Sequence, residues 1–348
     1  MKDRTDSIDV LRGIMAYIIV TYHSFLLGYN FFPGGGIATE FFFLVTGALM
    51  NRSLIRNNKV TLWLYIKHKF SKIIPLFYFT SITTLIVKWV CSFQSMKSIV
   101  CDVPKYLFEP LFLRMAGVAD QYYINPVTWY LSALFLATIY LYPLARKYRV
   151  ICSHWIFPLI SISLCSFLIK EYGTIVTVST SYSYFSLDLV KRAIAEVCLG
   201  FSLYEVAILV SKQQWTKMGI MVLRVIEIIG YLSVLAAAVL ALDVKYSIWV
   251  IFALGCAITI SFSGYGISLN FNKARTRYIL AEFSLSVYLS HYSVILIMGR
   301  LKESIQFGEV QFLLAYLLLT TIVSIINMFV VNQMKKLWPS FKRAIIVE

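Results

Sequence analysis

The chain has 348 residues, of which 59% are hydrophobic and 14% charged, with a formal net charge of +15 and a mean hydropathy of +0.75. A soluble domain carries about 25% charged residues, so this composition excludes an ordinary soluble enzyme and points to an integral membrane protein. No aromatic-interleaved basic cluster argues for nucleic acid, and the positive charge reads instead as loop charge holding a multi-pass topology.

Uncharged runs at Gly13–Thr39, Gln121–Ala145, Tyr246–Asn272 and Val310–Met334 are each long enough to cross a bilayer. Their continuity argues for helices, because barrel strands would alternate in short segments. Spans are predicted near 9–29, 37–55, 72–90, 127–145, 152–170, 193–211, 219–241, 246–266, 279–299 and 311–332. The fold class is therefore all-α: a polytopic bundle of about ten transmembrane helices forming one domain over 1–348, with no separate soluble domain. Segments on the N-terminal side of this arrangement hold 21 Lys and Arg and those on the other side 10, which places both termini in the cytoplasm. The N-terminal stretch lacks a small-residue cleavage site and reads as an uncleaved first span. The longest extramembrane segment, Cys91–Pro126, is partly apolar and either lies against the membrane or folds over a cavity. Cys91 and Cys101 share it and could pair in an oxidising compartment. The six cysteines and four histidines show no metal-ligand spacing, so no metal site is expected.

The first span, "LRGIMAYIIVTYHS", carries Arg12 and His23 at its two ends. Eleven helical residues make about three turns plus 20° and climb ~16 Å, so both lie on one face. Arg12 falls near the cytoplasmic interface and His23 past mid-depth. Asp9, three residues before Arg12, can pair with it. Arg12 alone reads either as a snorkelling anchor or as a functional cation, and His23 either as a packing residue or as a catalytic one. Glu196 and Glu282 are further cavity candidates, Arg224 and Glu227 can pair along one helix face, and His68 and His154 fall in basic segments as bystanders.

Later segments change the balance. Asp9 and Leu11–Arg12–Gly13 are followed by His23, then Glu40 with "FFFLVTG", then Lys69 and Lys72 before Ile73–Ile74–Pro75, then "WYLSAL" from Trp129, then "SVYLSH" with Tyr288 and His291. In this order the motifs resemble the membrane acyltransferase-3 family over nearly the whole chain. Thr46 stands where that family usually has serine, and the two lysines where it usually has arginines.

The resemblance implies a membrane enzyme, in a bacterial inner membrane, that moves an acyl group, usually acetyl, from cytoplasmic acyl-CoA to a hydroxyl of a cell-surface carbohydrate or its lipid-linked precursor. His23 is then the expected general base, or a covalent acyl carrier, with Asp9 or Glu40 as charge partner. Arg12, Lys69 and Lys72 are expected on the donor's phosphates or on developing charge. Trp129, Tyr288 and His291 are expected on the acceptor side. The lysines also read as topology signals and Trp129 as an interface aromatic. A cavity is expected among spans one, two, three and nine, open near Lys69 and Lys72. The rival readings are an exporter of polysaccharide or lipid-linked sugar, and an assembly scaffold.

Overall fold

A computed structural model describes residues 6–92, 103–117, 122–177, 180–183, 186–241, 244–267, 274–305 and 308–337. Helices occupy all ten stretches expected to span. Helix α1 runs Asp6–Tyr22, α2 Ala38–Arg56, α3 Leu62–Phe70 and α4 Ile74–Ser92. Helix α5 runs Trp129–Lys147 and α6 Phe157–Tyr172, the latter entered through a π-helical turn at Cys152–Ile156. Helices α7 Asp188–Lys212, α8 Lys217–Leu240, α9 Ser247–Ser263, α10 Ala274–Ser304 and α11 Glu309–Leu337 complete the bundle. A two-residue hairpin pairs Tyr182–Ser183 with Ser186–Leu187.

Eight helical segments among the described residues are long and apolar enough to cross a membrane. Helix α9 is apolar but shorter, and α2 is enclosed by protein along most of its length. This is a polytopic helical membrane protein.

Two details differ from the sequence expectation. Helix α7 starts at Asp188, five residues before its expected span, and carries Lys191 and Arg192 inside the protein. Buried charge is tolerated there because each cation has a carboxylate: Lys191 Nζ lies 2.7 Å from Asp188, and Arg192 pairs with Glu40. The stretch between spans two and three forms a short helix, α3, capped by the Thr61 hydroxyl accepting from Leu64 N–H.

Helices α2 and α7 cross backbone to backbone. A Cβ on Gly47 would lie 2.1 Å from the Val197 carbonyl oxygen, and one on Gly200 would lie 2.0 Å from that of Leu44. Small residues at such a crossing let helices gain packing that lipid cannot supply. The apolar interior divides in two. The larger core draws on α1, α2, α5, α7 and α9, and the smaller on Ala16 and Val20 of α1, Val287 to Met298 of α10, and Phe312 and Tyr316 of α11. Helices α1 and α10 contribute to both.

The described part of the 91–126 segment folds onto α10. Asn125 Nδ2–H donates to the Leu289 carbonyl at 2.8 Å, and the Tyr288 hydroxyl donates to the Val127 carbonyl at 2.5 Å. Glu109 ties the segment to itself by accepting from the backbone N–H of Ile124 (2.6 Å) and Asn125 (3.2 Å). Cys101, the partner considered for Cys91, lies outside the described residues.

Candidate active site

At His23 the first helix changes winding. The α-helix ends at Tyr22 and a 3₁₀ turn covers His23–Leu27, closed by Gly28 at φ +81°. That backbone angle favours glycine, and the tighter turn ends the span soon after the histidine. His23 is half-buried and faces α10, where its ring stacks on His291 with centroids 4.9 Å apart. The His23 Nδ1 to His291 Nε2 distance is 3.1 Å, and His291 Nδ1 lies 2.7 Å from the Tyr288 carbonyl.

These distances fix the tautomers if both rings are neutral. A carbonyl only accepts, so His291 Nδ1 carries hydrogen and His291 Nε2 is a lone pair. His23 Nδ1 must then donate to it. His23 Nε2 is left as an unprotonated lone pair, which is what a general base needs.

At the other end of α1, Arg12 Nη1 meets Asp9 at 2.7 Å. The Arg12 carbonyl accepts from the Ser284 hydroxyl of α10, so both ends of the first span lean on that helix. Lys69, half-buried on α3, lies within the field of Arg12. Burial, and then that guanidinium, push its ammonium down to about 7. Lys72 is exposed.

Along α2, most of which is enclosed, runs a half-buried stripe of Phe42, Thr46, Leu49 and Ser53 at helical spacing. Phe42 packs against both cores and meets the Tyr130 ring edge-on at 6.0 Å. Tyr130 faces Thr46 and lies within electrostatic reach of Arg12, Glu40 and Glu196.

Glu40 bonds Arg192 rather than His23. Arg192 also donates from Nη1 to the Thr177 carbonyl at 2.8 Å, and its guanidinium lies 5.5 Å from the Trp129 ring centre. Glu196 stands one helical turn on, 3.8 Å from Arg192 Nε. Glu40 Oε2, both Glu196 oxygens and Arg192 Nε are buried without a hydrogen-bond partner. The Glu40 and Glu196 carboxyls also lie within hydrogen-bond reach of each other, so one proton shared between them would satisfy part of this cluster.

A family model described as an acyltransferase domain matches residues 5–328. The chain belongs to the acyltransferase-3 family. No curated protein and no solved structure matches it.

The positions that carry the family's motifs fall into three groups in space. His23, His291 and Tyr288 form the bonded chain. Asp9, Arg12 and Lys69 cluster at the basic end, with Lys72 at its exposed edge. Glu40 and Trp129 meet at Arg192. Tyr288 and His291 are buried, and the polar atoms they would need for an acceptor are engaged by Val127, Tyr288 and His23. Glu282 pairs with Lys335 at 2.7 Å. Glu227 accepts from the Ser261 hydroxyl and the Ile267 N–H, while Arg224 turns to the Tyr265 carbonyl. Arg192 is the addition that sequence reading missed. Its signal was the i,i+4 spacing to Glu196 inside an apolar stretch. Among the described residues no group of three His, Cys, Asp or Glu could hold a metal.

Proposed function

We propose that this acyltransferase is a membrane O-acyltransferase of a bacterial inner membrane, moving an acetyl group from acetyl-CoA to a hydroxyl of a cell-surface carbohydrate or its lipid-linked precursor. The observation that carries the reading is the His23–His291–Tyr288 chain, which leaves His23 Nε2 free to take a proton. In this reading the basic end faces the cytoplasm, both termini lie there, and α2 and α9 complete ten crossings.

The donor's phosphates lie at Arg12 and Lys69, and its arm follows the α2 stripe toward His23. The acceptor hydroxyl gives its proton to His23 Nε2 as its oxygen attacks the thioester carbonyl. The new C–O bond forms and the C–S bond breaks. The imidazolium then returns the proton to the departing CoA sulfur, leaving ester, free thiol and a neutral histidine. As His23 gains charge, its Nδ1–H bond to His291 becomes charge-assisted and strengthens, which is stabilisation realised in the transition state. The Trp129 ring, half-buried beside Arg192, is the side chain of this group open to the carbohydrate, and the buried Glu40–Arg192–Glu196 cluster holds it in place.

The test is His23→Ala, followed by counting acetyl groups on the surface glycan by mass spectrometry, with membrane protein level matched by immunoblot. Acetyl groups are expected to vanish while glycan still reaches the surface. Unchanged acetylation with loss of surface glycan would instead support an exporter.

A further inference from the structure

The basic end holds a cavity that the donor reading has not used. It measures about 700 Å³ and opens between the ends of α2 and α5. Arg56, Lys59, Arg146, Lys147 and Arg149 line it, and no carboxylate does among the described residues. A second cavity of about 540 Å³ shares Lys59, Arg146 and Lys147 with it and adds Tyr142, Pro143 and Leu62. The pair thus offers a cationic cavity joined to one with an aliphatic wall of Leu62 and Pro143, behind which Tyr142 is buried.

The walls are built rather than loose. Arg146 donates from Nε to the Asn58 carbonyl at 3.0 Å and from Nη2 to that of Lys59 at 3.2 Å. Neither bond uses its Nη1 hydrogens. Arg149 is held by Asn51 and Glu205, and Asn51 is itself anchored on the Phe201 carbonyl at 2.8 Å. Tyr142 donates to the Val60 carbonyl at 3.0 Å and stacks on Tyr65 at 4.2 Å. Cations held in place by backbone lose less freedom on meeting an anion.

Position supplies the rest. Helix α3 begins at Leu62, on the wall of the second cavity, and reaches Lys69 after seven residues, ~10 Å along its axis. From Arg12 the first span climbs a further ~16 Å to His23. The paired cavity therefore borders the start of α3, and Lys69 stands at the other end of that helix. A donor whose pyrophosphate is at Lys69 has a cationic cavity about one short helix, ~10 Å, away for its remaining nucleotide portion.

We propose that this paired cavity is a binding site for a nucleoside bearing a phosphomonoester, namely the 3′-phosphoadenosine end of the acyl-CoA donor. The phosphomonoester lies among Arg146, Lys147 and Lys59, and the base lies against Pro143 and Leu62. This inference rests on the donor reading above and adds the residues that select the donor's 3′-phosphate.

The experiment compares three probes on the purified full-length protein in detergent: coenzyme A, 3′-dephospho-coenzyme A and adenosine 3′,5′-bisphosphate. Coenzyme A is expected to bind about tenfold to a hundredfold more tightly than its dephospho form, the scale of lost charge-assisted hydrogen bonds. The bisphosphate is expected to compete with coenzyme A. Lys147→Gln and, separately, Arg146→Gln should reduce the preference to within about threefold, with dephospho-coenzyme A affinity unchanged. The Lys147 variant keeps the loop contacts of Arg146, so it reads the site without disturbing the fold. Equal binding of the two coenzymes, or a preference untouched in both variants, overturns the site while leaving the donor reading standing. Absence of coenzyme A binding to the wild type overturns the donor reading itself. Nanodiscs of phosphatidylglycerol and of phosphatidylcholine separate the remaining source of phosphate. If phosphatidylglycerol fills the chamber, it abolishes bisphosphate competition in the wild type, and the chamber is a headgroup site instead.

Discussion

Replacing His291 separates a positioning role from a packing one. His291→Leu removes the His291 acceptor for His23 Nδ1–H, now 3.1 Å away, and leaves the Ile19 carbonyl as the ring's remaining backbone partner. A hydrogen bond to a charged group contributes about 1.5–3 kcal/mol. At 1.36 kcal/mol per decade, losing it as the imidazolium forms lowers kcat by about 10- to 150-fold. His291→Gln carries both an acceptor and a donor at similar reach, and should stay within about threefold of wild type. The assay is thiol release from acetyl-CoA in the presence of acceptor, followed against pH, with the thermal midpoint of each variant recorded in the same detergent. The acid limb of the kcat profile should move to lower pH in His291→Leu and hold in His291→Gln, with the acceptor KM steady in both. Equal rates for leucine and wild type, or an equal fall for glutamine and leucine, would refute the tautomer argument.

Three further outcomes follow from the packing and charge. The Lys69 ammonium, held down to about 7, loses its proton as pH rises through neutrality. The donor KM should therefore rise above pH ~7, and Lys69→Arg, which stays charged, should abolish that rise. Stability moves the opposite way, since an unfolded chain keeps this proton up to about 10.5, and the thermal midpoint should climb over that window. Glu109 is raised to about 7 by burial, against its backbone hydrogen bonds. The folded state then holds a proton that the unfolded state has released between about 4.5 and 7, so stability falls as pH rises there. Glu109→Gln should flatten this slope in a thermal-shift series. Gly200→Ala forces a methyl group to within 2.0 Å of the Leu44 carbonyl oxygen, and should lower stability by about 1–3 kcal/mol, read as a reduced Tm.

Local spacing made part of this legible. Asp9 and Arg12 pair at three residues' separation, as helical geometry allows, and a helix occupies each predicted span. The start of α7 was not legible. Lys191 and Arg192 look like loop charge until Glu40 and Asp188 are known to neutralise them, and the Glu40 contact spans 152 residues of chain. The same limit hid the histidine chain. His23 and His291 each carry a family motif, yet their bond joins residues 268 apart, and no periodicity encodes such a meeting. The family resemblance offered Glu40, or Asp9, as a charge partner for His23. The Glu40 carboxyl instead meets Arg192, which falls one residue before the predicted span 193–211.

Helices α1 and α10 each give residues to both apolar cores, so the wall between the cores also carries both histidines. A partition braced from both sides deforms less than an outer helix bordered by lipid. The proton-handling atoms thus stand on a wall packed from both sides, while the α2–α3 turn at 57–61 is largely exposed. Entry and exit of substrates can then alter the ends without disturbing the hydrogen-bond direction at the centre.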